Sequence, residues 1–176
     1  QQGGNAIDAA VAAALTLGVV DGHNSGIGGG CFLLIRTAAG DVVAIDGRET
    51  APAAADGTWF YVDGKPLSVP QAIPGGRSVG VPGNIRLMAE AHRRHGKLPW
   101  SALFQPAIRL ARDGFTVTPR LTAFLTRFKA SAALTEAGRA IYYQPDGNPV
   151  PAGTTLKNPQ LAAFLEQGAA QGPDAF

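Results

Sequence analysis

The sequence predicts an α+β chain with a short strand core early and helices packed after it. Three observations carry that prediction. Two apolar runs, "CFLLIR" and "VVAIDG", are separated only by "TAAGD", which reads as an antiparallel hairpin. From residue 84 onward apolar residues recur at helical spacing, as in Leu121, Phe124, Leu125 and Phe128. The chain has 176 residues, 45% of them hydrophobic, and a domain of that length buries roughly 70% of its unfolded surface.

Asn5 is placed to cap a first helix, with Asp8 in the first turn where the helix dipole favours an acid. Residues 6–17 are apolar on every side and rich in alanine, which predicts a buried helix ending near Gly18. "DGHNSGIGGG" is a loop into the hairpin, whose continuous hydrophobicity predicts that both faces are covered. Residues 52–83 read as loops with a turn at Asp63-Gly64. "NIRLMAEAHRRHG" is a helix ended by Gly96, with Ile85, Leu87 and Met88 ahead of a charged face. "PWSALFQPAIRLARDG" is a second, broken or kinked at Pro106 and ended by Gly114. Thr118 caps "PRLTAFLTRF", "IYYQPDGNPV" reads as a small hairpin, and Asn158-Pro159 opens a last helix bearing Leu161, Phe164 and Leu165. "QGPDAF" reads as the start of a further helix capped by Asp174, so the chain is expected to be one partial domain, 1–176, of something larger.

Composition narrows the function classes. Charged residues make up 16% and net charge is +2, with no basic run longer than Arg93-Arg94. Nucleic acid is therefore not expected as a partner. The longest nearly uncharged apolar run, residues 9–20, is too short to span a bilayer. Cys31 is alone, which excludes an internal disulfide and leaves the redox compartment open. No leader is visible at Gln1, so any leader is expected to have been removed or to lie outside these residues.

"SGIGGG" invites a phosphate-loop reading, but here the order is helix, glycines, strand, whereas a dinucleotide fingerprint needs strand, glycines, helix. Close backbone packing is the better reading. Cys31 reads as a small hydrophobe opening a strand rather than a nucleophile. His92 and His95 have metal-ligand spacing, yet Arg93, Arg94 and Lys97 surround them, and a solvated basic face fits better. His23 has no evident partner. Arg48 differs, because it follows a short strand that can aim a guanidinium into a cleft, flanked by Asp46 and Glu49. Its planar fork suits a bound carboxylate, and equally an internal ion pair with either acid. Spacing alone leaves both open.

"GGNAIDAAVAAALTLGVV", "SGIGGGCFLLI", "DGRETAPAAA", "VGVPGNIRLMAEAHRRHGKLPW" and "PAIRLARDGFTV" resemble, in that order, the large-subunit half of the γ-glutamyltranspeptidases, and "LKNPQLAAFLEQGAAQGPDAF" continues the likeness. The likeness spans nearly the whole chain. Cys31 departs from it, since many members carry a further glycine there.

The resemblance implies an N-terminal-nucleophile hydrolase fold, an αββα sandwich of two stacked sheets, of which this chain is the N-terminal, large-subunit part. It implies a precursor that cuts itself, and a small subunit whose new N-terminal threonine attacks a γ-glutamyl amide such as that of glutathione. Water, an amino acid or a dipeptide then takes the glutamyl group. That threonine falls beyond Phe176, so no catalytic residue is expected here and the chain alone is expected to be inactive. Arg48 falls on the family's arginine for the substrate α-carboxylate, and Glu49 on the acid beside it. No cofactor and no metal are implied, and a periplasmic or extracellular location is. A cephalosporin or glutaryl acylase, a poly-γ-glutamate enzyme and an inactive homologue share the pattern.

Overall fold

The computed structural model describes residues 3–176. Helix α1, Ala6–Val20, is opened as expected: the Asn5 side chain accepts the backbone N–H of Ile7 and Asp8, and Asp8 accepts that of Asn5 at 2.9 Å. It runs through Gly18 rather than ending there. Gly18 lies against the backbone of Gly26, so the residue serves close packing and not termination. Ile7, Val11, Leu15 and Val19 form the buried stripe, while Ala9, Ala10, Ala13 and Leu17 are exposed. The helix is thus buried along one side of this chain, not all round.

β1, Cys31–Arg36, pairs antiparallel with β2, Val42–Gly47, in a register from Cys31 opposite Gly47 to Arg36 opposite Val42. Leu33, Ile35, Val43 and Ile45 turn toward the core. Phe32 (66% exposed), Leu34 (74%) and Val42 (67%) turn away from it. Among the described residues α3 packs on one face of the hairpin, and they supply no cover for the other.

β3, Tyr61–Val62, and β4, Lys65–Pro66, form the expected tight hairpin, with both turn residues at positive φ: Asp63 at 52° and Gly64 at 73°. A short helix α2, Val69–Ala72, and a 3-10 turn, Gly76–Ser78, follow.

Helix α3, Asn84–His95, buries Ile85, Leu87, Met88 and Ala91. Helix α4, Trp100–Asp113, runs through Pro106 without the break that was one of the two outcomes expected there. Leu103, Phe104, Ala107, Ile108 and Ala111 are buried against α1 and α8, and this packing offsets the roughly 3 kcal/mol that an interior proline costs. β5, Phe115–Thr116, leads to α5, Pro119–Arg127, capped by Thr118, and then to α6, Lys129–Ala132. α7, Glu136–Tyr142, takes in the start of the predicted "IYYQPDGNPV" hairpin. Thr135 caps it and Glu136 sits in its first turn. The hairpin forms beyond it, where Val150 N–H donates to Tyr142 O at 3.0 Å and Gln144 N–H to Asn148 O at 2.8 Å on either side of the Tyr143–Pro149 bridge. β6, Thr155–Leu156, pairs with β5. α8, Pro159–Gln171, begins at the Asn158 cap. Asp174 does not cap a helix; it sits in a closing 3-10 turn, Pro173–Ala175, and pairs with Arg86 at 2.9 Å.

The core is α4 held between α1 and α8, with the β1–β2 hairpin laid on α3. The described residues form three separate two-stranded sheets, β1–β2, β3–β4 and β5–β6. Two stacked sheets are not built from these residues alone.

Candidate functional site

β2 delivers Arg48. The chain leaves the strand at Gly47, where the Asp46 side chain accepts the backbone N–H of Arg48 at 2.9 Å. Asp46 is therefore a turn-former at the strand end. Glu49 turns back against the glycine loop and lies 3.2 Å from Arg48 Nε. Its Oε2 is buried, and the contact geometry leaves it without a formal hydrogen bond. Arg48 is 62% exposed, and among the described residues its Nη1 and Nη2 have no partner. Its Cζ stands 6.0 Å from the ring centre of Phe32 on the uncovered face of the hairpin. Glu49 thus pairs with the Nε edge of the fork and leaves the Nη1 and Nη2 edge free.

The glycine loop is the support beneath this turn. A Cβ on Gly30 would fall 2.6 Å from Gly47 O and 2.8 Å from Arg48 Cα. Gly29 O accepts N–H groups from Gly83 (3.2 Å) and Asn84 (3.1 Å), which brings the start of α3 to the same place. Gly30→Ala is expected to destabilise the complete protein by about 1–3 kcal/mol and to shift Arg48. An unchanged urea midpoint would show that the approach is looser than described.

Arg48 and Glu49 open on a cleft of about 690 Å³ whose lining includes Gly28, Trp59, Phe60, Arg77 and Ser78, a size suited to a small molecule. Asp56, also at its edge, accepts the backbone N–H and hydroxyl of Thr58, both at 2.8 Å, which holds its carboxyl below the usual range. No histidine, lysine or cysteine lines the cleft to activate its Thr50 or Ser78 hydroxyl. The cleft can bind an anion, and the described residues supply it with no activated nucleophile.

The other candidates resolve into structure. Cys31 Sγ donates to Asn84 Oδ1 at 3.1 Å, and burial, with Glu49 nearby, pushes its pKa up, so the thiol stays protonated. His92 is not on a solvated face: its Nε2 donates to Leu98 O at 2.7 Å and its ring packs on Trp100. Arg93 and Arg94 do face solvent, gathered by Glu90, whose pKa they lower to about 2. No cluster of three or more potential metal ligands occurs among the described residues. His23 has a partner that the sequence reading missed, Asp21 at 3.3 Å, two residues upstream. Its ring lies 4.4 Å from that of Phe124, in the wall of a separate apolar cavity of about 360 Å³.

The profile of the family described as Gamma-glutamyltranspeptidase matches residues 1–176, the whole chain. The chain belongs to the γ-glutamyltranspeptidase family. Glutathione hydrolase 3 of Arabidopsis thaliana is 43% identical over 177 residues, covering 100% of this chain and 27% of that protein. The glutathione hydrolase proenzyme of Escherichia coli K12 is 38% identical over 178 residues, covering 100% of this chain and 30% of its own length. The crystal structure of Helicobacter pylori γ-glutamyltranspeptidase superimposes with a TM-score of 0.94 at 31% identity, over 99% of this chain and 50% of that one. The α+β chain therefore has the γ-glutamyltranspeptidase form of the N-terminal-nucleophile hydrolase fold. It spans less than a third of these curated relatives and half of the solved chain.

Proposed function

We propose that this chain is the large-subunit segment of a γ-glutamyl transferase/hydrolase and supplies the part of its cleft that holds the substrate α-carboxylate. The observation that carries the reading is the Arg48 guanidinium, ion-paired at Nε with Glu49 at 3.2 Å and free at its terminal edge. Arg48 binds the carboxylate of a γ-glutamyl group, and Glu49 keeps the fork in register. The nucleophile is a threonine at the N-terminus of a small subunit, made from the same precursor by self-cleavage. Its hydroxyl attacks the γ-carbonyl while its α-amine takes the proton; the amine of the substrate leaves protonated, and water or an amino-acid or dipeptide amine releases the glutamyl group.

The apolar face carrying Phe32, Leu34 and Val42, with the exposed alanines of α1, is where the rest of the protein packs to complete the sandwich. A periplasmic or extracellular location belongs to the same proposal. No helix among the described residues is long and apolar enough to cross a membrane.

The test begins with expression of the full gene, then intact mass and N-terminal sequencing of every copurifying chain. A second chain beginning with threonine, together with release of aniline from a γ-glutamyl anilide in preference to a glutaryl anilide, is the expected result. Preference for the glutaryl compound would make the protein an acylase on the same fold. An unprocessed, inactive precursor would mark an inactive homologue.

A further inference from the structure

The Arg48 cleft has a second cation, Arg77, in the 3-10 turn before α3. Arg77 Nη1 donates to the backbone oxygens of Tyr61 (3.1 Å) and Trp59 (3.4 Å), and Trp59 Nε1 donates back to Arg77 O at 2.9 Å. These bonds tie segment 59–61 to segment 76–78 and make one wall of the cleft.

Holding two carbonyls does not require a permanent charge; any N–H donor would serve. The acids of the cleft are already engaged, Glu49 with Arg48 and Asp56 with Thr58. Among the described residues no carboxylate lies within 4.0 Å of Arg77, and its Nε and Nη2 donate no hydrogen bond. A guanidinium in the wall of a ligand-sized cleft, with no acid beside it and donors to spare, is built to receive an anion. Trp59 and Phe60 in the same wall offer apolar surface to whatever carries that anion.

We infer that Arg77 binds a second carboxylate, on the leaving group, so that the complete enzyme favours γ-glutamyl peptides with a free C-terminal carboxylate. This rests on the reading of Arg48 as the site of the glutamyl α-carboxylate. One arginine then reads the carboxylate at each end of the peptide.

The test uses the processed, full-length enzyme and three substrates: γ-glutamyl-alanyl-glycine, the same peptide as its C-terminal amide, and a γ-glutamyl anilide. The expected ratio of kcat/KM for the free acid over the amide is about 10-fold or more, the effect of one charge-assisted contact. In Arg77→Gln, which retains N–H donors for the two carbonyls, that ratio falls to near one. A wild-type ratio near one overturns the inference. So does a ratio that survives in Arg77→Gln, and so does an equal loss on both peptides, which would leave Arg77 a holder of the loop. If the variant fails to fold, the wild-type ratio decides, read with its salt dependence: an exposed charge contact must weaken as salt rises. Turnover of the anilide separates the two readings. Anilide cleavage with a ratio near one sinks Arg77 alone, whereas no cleavage of any γ-glutamyl substrate sinks the proposed function and this inference with it.

Discussion

Arg48→Lys in the complete enzyme is expected to lower kcat/KM for a γ-glutamyl amide by about 100-fold to 1,000-fold, equivalent to roughly 3–4 kcal/mol. The reason lies in how the fork is shared. Glu49 takes the Nε edge, and the two terminal nitrogens remain for a carboxylate. A lysine ammonium is a single point charge, so it must either stay with Glu49 or reach the substrate, and in neither case does it reproduce the bidentate contact. A 4-aminobutanoyl amide, which lacks the α-carboxylate, supplies the control. The wild-type enzyme is expected to discriminate strongly against it, and the variant to lose most of that discrimination. Equal kcat/KM for wild type and Arg48→Lys would return Arg48 to a plain ion pair with Glu49.

The second large effect is on stability. Asp8 is 2% exposed, yet it accepts the N–H groups of Asn5, Lys97 and Leu98, joining the start of α1 to the connection between α3 and α4. Asp8→Ala leaves three part-buried backbone donors without their acceptor and is expected to cost about 3 kcal/mol, read as a lower urea midpoint of the complete enzyme. Asp8→Asn, which keeps an acceptor oxygen, should recover part of the loss. The pH dependence has a definite sign. Desolvation raises the Asp8 pKa, but the N–H groups of Asn5, Lys97 and Leu98, with His92 nearby, together outweigh it, and the net shift is downward from 3.8. The folded state then binds the proton less tightly than the unfolded state does. The contribution is complete above pH 3.8 and is lost as pH falls through the lower folded value. The gap between wild type and Asp8→Asn should therefore close in acid. A gap that stays constant down to pH 2 would mean that Asp8 is not held as an anion.

Much of the local structure was legible. Asn5, Thr118 and Asn158 cap the helices they were read to cap, the Asp63-Gly64 turn forms, and β1 pairs with β2. Arg48 could be singled out because an arginine between two acids at a strand end is unusual in a chain with so few charges. The break read at Pro106 does not form, and the "IYYQPDGNPV" hairpin forms from Tyr142 to Val150 but gives up its first residues to α7, because propensity is a weak prior. Buried packing carries α4 through its proline, and the Thr135 cap extends a helix into residues that look like strand. Arg77 and Asp21 carried no signal of their own, since the first acts through carbonyls 16 and 18 residues away and the second through a loop conformation.

What the amino-acid sequence by itself determined was the set of elements and the type of residue at each end of them. Caps, turns and hydrophobic periods depend on neighbours within about four positions, where chain geometry leaves few choices. Only the tertiary structure decided which acid serves which arginine, that Asp8 reaches Lys97 across 89 positions, that the described residues cover one face of the hairpin, and that Arg48 and Arg77 share a cleft. Those relations join segments far apart in sequence. They follow from how α1, α3 and α4 pack around one core, and the spacing of residues along the chain does not encode them.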